Sequence, residues 1–172
     1  MQRKTNVRTI MKTSIYLPMA AMLLTTALAR PAAAQKLVPF SGTLQAAEAA
    51  TFPSPGTLVA DGSGGGIATL LGRFTIAWHF TVNLADGTGS GPVRFTAANG
   101  DEIFTTVAGT SRPTDTPGVA HITEIQTIIG GTGRFAGATG SFTVERLVDL
   151  TTNPSLTSGS FSGAITSPGS AK

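Results

Sequence analysis

Few side chains in this sequence could do chemistry, and their types and spacing narrow the chemistry further. No Cys occurs among the 172 residues, which excludes thiolate catalysis and a disulfide framework. Two His are too few for most structural metal sites, so neither a metal nor another cofactor is expected. His79 lies in RFTIAWHFTV (Arg73 to Val82), on the polar side of a strict two-residue alternation and with the parity of Arg73. His121 and Glu124 differ in parity, so on one strand they point to opposite faces and cannot act together. Glu145 and Asp149 share a face, and Arg146 points the other way. A His or Glu facing an apolar interior has its pKa displaced and serves as a general acid or base. That makes His79 and Glu124 the catalytic candidates. The competing reading for His79 is a solvent-facing strand residue. For Glu124 and Glu145 it is a surface carboxylate paired with an Arg of a neighbouring strand, worth little energetically.

The most distinctive segment is GGTGRFAGATG, from Gly130 to Gly140. It lacks the Lys of a phosphate-binding P-loop. A dinucleotide fingerprint must open a helix, whereas the SFTVERLVDL that follows alternates as a strand. No Gly-x-Ser-x-Gly elbow occurs anywhere in the chain. The segment reads as a connection between two strands. Gly130, Gly131, Gly133, Gly137 and Gly140 supply positive φ and close approach, and Phe135 packs as a plug. Arg134 reads as a surface residue or ion-pair partner.

The elements that must position these residues are short strands cut by Gly, Pro, Asn and Asp. In Arg73 to Val82, the residues Phe74, Ile76, Trp78, Phe80 and Val82 share one apolar face. Phe74, Trp78 and Phe80 are either core or, in a hollow barrel, ligand-binding wall. Pro92 to Ala98 and Glu102 to Ala108 flank Asn99-Gly100-Asp101, a strong hairpin signal. Further strands are expected at Lys36 to Leu44, at Thr57 to Ala60 or Ile67 to Leu71, and at Val119 to Ile129, Ser141 to Leu150 and Phe161 to Thr166. QAAEAA (Gln45 to Ala50) is the one helix-favouring segment, closed off by Pro53 and Pro55. About eight strands without intervening helices predict an all-β, antiparallel closed barrel. The likeness of Phe40-Ser41-Gly42 to Phe161-Ser162-Gly163 suggests that first and last strands pair to close it.

Charge is split along the chain. Five of the twelve cations lie in the first thirty residues, and the first acid is Glu48. From Gln35 onward seven cations face nine acids, a net charge of −2, so nucleic acid is not an expected partner. A basic stretch, an apolar run from Ile15 to Ala29 and Ala32-Ala33-Ala34 have the order of a secretory signal cleaved after Ala34. The apolar run is shorter than the roughly 20 residues of a membrane span. The expectation is a signal peptide at 1–34, starting from Met1 or Met11, and one barrel domain at 35–172. The product is secreted or periplasmic and keeps no membrane span after cleavage.

GGTGRFAGATG followed by a strand resembles the motif shared by plant dirigent proteins and allene oxide cyclases. With LGRFT (Leu71 to Thr75) and FTAANGD (Phe95 to Asp101), it resembles small secreted bacterial proteins of the same barrel type. The resemblance covers roughly Lys36 to Ile165. It implies an allene oxide cyclase-like eight-stranded barrel, a homotrimer and an apolar lumen. No catalytic residue carries over, because no acid or Arg sits in a matching motif. Three functions follow as expectations. One is binding of a small apolar or aromatic ligand in the lumen, and another a structural or oligomeric role at a surface. The third is an isomerase or cyclase activity, or dirigent-like stereochemical guidance. The missing catalytic constellation ranks binding and structural roles above catalysis.

Overall fold

The computed structural model describes residues 36–169, so the expected signal peptide and its cleavage site lie outside the described residues. Eight strands follow one another: β1 (Leu37–Ser54), β2 (Thr57–Ala68), β3 (Gly72–Asn83), β4 (Thr88–Ala97), β5 (Glu102–Pro113), β6 (Val119–Gly131), β7 (Gly140–Asp149) and β8 (Ser155–Thr166). Each pairs antiparallel with its neighbour in sequence, and β1 pairs with β8, giving the expected closed barrel. A short 3-10 turn, Gly133–Phe135, interrupts the β6–β7 connection.

Closure has a steric basis in the repeated Phe-Ser-Gly. Phe40 lies opposite Gly163 and Gly42 opposite Phe161, so each inward ring faces a glycine across the ladder. A Cβ on Gly42 would stand 2.7 Å from the Phe161 ring. The hairpin at Asn99-Gly100-Asp101 forms as its residues predict, with Gly100 at φ +86°.

Two segments depart from expectation. QAAEAA runs as strand inside β1, bonded on both sides: Gln45 lies opposite Gly65 of β2 and Ser158 of β8. Two ladders outweigh the weak helix propensity of a short alanine-rich run. The alternative short strands at Thr57 to Ala60 and Ile67 to Leu71 are replaced by a single β2 that continues through Gly62, Gly64, Gly65 and Gly66. These glycines do not break the strand. They make room for rings on β3: Gly62 faces Trp78 and Gly66 faces Phe74, and Cβ atoms there would collide with both side chains.

One half of the interior is solid. Phe40, Phe74, Phe95, Phe142 and Phe161 pack there, neighbouring ring centroids being 5.1 to 6.1 Å apart at tilted or edge-to-face angles. Ile103 and Ile165 fill the gaps and are fully buried. The glycine-rich β6–β7 connection closes this end, with Phe135 inserted as the plug at 1% exposure. Gly131 is obligatory there, since a Cβ would come within 2.8 Å of the Phe135 Cβ. Gly133, at φ +55°, lets the turn pass Asp101. Arg134 points away from the interior, covers the Phe135 ring and pairs with Asp101 at 3.5 Å.

Candidate functional site

The other half of the barrel is hollow. Apart from Phe80, the apolar inward residues there are small or branched, and they line a cavity of about 480 Å³. Its walls include Leu58, Phe80, Val82, Val107, Ile122 and Val148, and it opens past the turn between β3 and β4. The volume falls within the range of small-molecule sites, about 300–1,000 Å³.

The cavity floor is a polar layer separating it from the packed phenylalanines. Arg146 of β7 is its centre, with only 6% of its side chain exposed. Its Nε and Nη2 lie 3.0 and 2.9 Å from Glu124 Oε1 on β6. Its Nη1 donates to Glu48 Oε2 on β1 at 3.2 Å and to Thr157 Oγ1 on β8 at 3.1 Å. Thr157 in turn donates to the Leu147 carbonyl at 2.8 Å. On the far side, Gln126 Nε2 donates to Glu124 Oε2 at 3.3 Å, and the Thr105 hydroxyl of β5 donates to Gln126 Oε1. The Arg146 guanidinium also lies over Trp78 of β3, 5.3 Å from the ring centroid. Trp78 Nε1 is buried without a hydrogen-bond partner.

Strand parity places these groups. Ala120, Ile122, Glu124, Gln126 and Ile128 share the inward face of β6, as Phe142, Val144, Arg146 and Val148 share that of β7. Three large members of the layer gain space from a glycine across the ladder: Glu124 faces Gly109, Arg146 faces Gly159 and Trp78 faces Gly62. A Cβ on Gly109 would stand 2.9 Å from Glu124 Cγ.

Buried charges of this kind are tolerable only when paired and hydrogen-bonded, because each ion costs several kcal/mol to desolvate. All three guanidinium nitrogens are engaged, so Arg146 is committed to the floor. Glu124 is held through both oxygens, by Arg146 and by Gln126. Glu48, 12% exposed, is held by Arg146 through Oε2. Of the two carboxylates, Glu48 is the more open to a donor group in the cavity. At the mouth, Asp86 accepts from the Thr88 hydroxyl and amide, and this holds its carboxyl below its ordinary value. Thr151 does the same, hydroxyl first, for Asp149.

The two catalytic candidates separate. Glu124 faces the lumen and is buried, so the surface-carboxylate reading fails for it, although its partner is an Arg of a neighbouring strand as that reading required. His79 stands on the outer wall, 58% exposed, because its parity opposes that of Trp78 and Phe80. Arg73 shares its face, and the group beside His79 is Asp61, 2.6 Å from Nδ1. Glu145 is also outside, where it meets His121 at 3.0 Å and Thr123 at 2.8 Å. Phe74, Trp78 and Phe80 all point inward but occupy three levels. Phe74 belongs to the aromatic packing and Trp78 to the polar layer, and Phe80 lines the cavity.

Arg146, Glu48, Gln126, Thr105 and Thr157 were not singled out by motif. A signal for Arg146 and Gln126 was present, since each is a strongly polar residue on the apolar face of an alternating strand. Glu48 lay hidden in the alanine-rich run whose strand character only the ladders reveal. Comparison of the chain with protein-family models, curated proteins and solved structures found no match.

Proposed function

We propose that this chain is an exported barrel that holds a small apolar or aromatic molecule in the open half of its lumen. The observation that carries this reading is the cavity of about 480 Å³, walled by apolar side chains above a fixed polar floor. Few convergent polar groups under an apolar enclosure is the usual composition of a ligand site. The leader composition supports export to a periplasm or beyond. The glycine motif, acting as a plugged strand connection, supports a distant place among the allene oxide cyclase and dirigent-like barrels. An isomerase or cyclase role ranks lower, because Glu124 is held through both oxygens and Glu48 through one. A structural role in an assembly such as a homotrimer draws support from Ile125, Ile129, Leu147 and Leu156, which are exposed on the outer wall.

The test is native mass spectrometry of the protein recovered from the cell that produces it. The expected spectrum carries a discrete extra mass that is lost on denaturation. A protein that stays bare after incubation with lipid and phenolic extracts would transfer support to the structural role.

A further inference from the structure

We infer that the lumen selects its ligand by charge, accepting an apolar molecule that ends in a protonated amine and rejecting one that ends in a carboxylate. The inference rests on the lumen-binding reading and specifies its ligand class. Four ionisable residues line the cavity: Glu48, Asp86 and Glu124 against Arg146. Arg146 balances only one of these three negative charges, and its nitrogens are bound to Glu124, Glu48 and Thr157. Among the described residues no other Lys or Arg lines the cavity. Arg112, near the mouth on β5, has the outward parity and is exposed. An incoming carboxylate would therefore meet excess negative charge, with no free guanidinium edge to receive it. An ammonium group reaching the floor would meet Glu48, whose carboxylate is tied through Oε2 alone, in a site where low dielectric strengthens the attraction. The apolar walls take the hydrocarbon part of such a molecule.

Three probes of equal chain length separate charge from hydrophobicity: octylamine, octanol and octanoate, titrated into the wild-type protein at neutral pH by calorimetry. Trp78, the only Trp in the chain, gives a parallel fluorescence readout from the floor. The expected order is octylamine, then octanol, then octanoate, with at least a tenfold difference in Kd between the amine and the carboxylate. Glu48→Gln, which preserves shape and can still accept from Arg146, is expected to reduce the preference of amine over alcohol several-fold. If octanol binds and octanoate binds as tightly as octylamine or tighter, the charge inference is overturned while the lumen reading stands. If none of the three binds, both fail together.

Discussion

The same eight strands build two unlike halves of one interior. At the end closed by the glycine-rich connection, inward positions carry Phe40, Phe74, Phe95, Phe142 and Phe161, and a sixth ring, Phe135, is inserted from the loop. At the other end the inward positions of those strands carry Val82, Val107, Ile122 and Val148, too small to meet across the lumen. Between the halves sits a layer whose charges are paired in detail. Dense packing and open space are thus divided along the barrel axis. Burial of aromatic side chains, worth about 1.5–3 kcal/mol each, concentrates in the closed half. The open half is left free to hold a void and a committed ion network that would destabilise a smaller core.

Mutations should reveal the division, and the largest effect is expected in the packed half. Phe95→Ala removes a fully buried ring touching Phe74, Phe142 and Phe161, and should cost about 4 kcal/mol in chemical denaturation. A loss under about 1 kcal/mol would mean that this half is not the stabilising one. Next, Arg146→Met strands Glu124 without its cation and should cost about 3 kcal/mol. Adding Glu124→Gln should restore a large part of that loss. Equal stability of the single and double variants would show that the two charges are not coupled. In the cavity wall, Val107→Trp should leave the unfolding midpoint close to wild type but weaken octanol binding at least tenfold. Unchanged binding would place the ligand elsewhere.

The smallest effects belong to the outer wall and the rim. Glu145→Gln removes an exposed pairing with His121 and should change stability by less than about 0.5 kcal/mol. Asp86 and Asp149 have carboxyl groups held below their ordinary values by threonine donors. A depressed folded-state pKa gives stability that is present above the unfolded aspartate value, about 3.9, and is lost as pH falls through the folded value. Thermal melts from neutral to acid pH should therefore decline less steeply in Thr88→Val and Thr151→Val than in wild type. Parallel curves would remove these threonines from the acid response.

The barrel was legible because its strands obey parity. In RFTIAWHFTV five apolar residues share one face, and the structure turns that face inward without exception. The hairpin at Asn99-Gly100 and the plug at Phe135 were equally readable, since each depends on local chemistry alone. What was not legible depended on partners distant in sequence. Glycines in β2 look like punctuation until Trp78 and Phe74 are seen to occupy the space they leave. Glu48 joins a site with Arg146, 98 residues away, which no local pattern can show. The same holds for His79 and Glu124: both looked able to do chemistry, and only the direction of the alternation sent one out and the other in.

The central claim is that the lumen is divided, with ligand access confined to one half. Methyl NMR during an octanol titration tests it most directly. In a divided lumen the methyl signals of Val82, Val107, Ile122 and Val148 shift together, while those of Ile103 and Ile165 stay fixed. Shifts confined to the outer-wall residues Ile125, Ile129 and Leu147, or spread equally through the packed half, would contradict it.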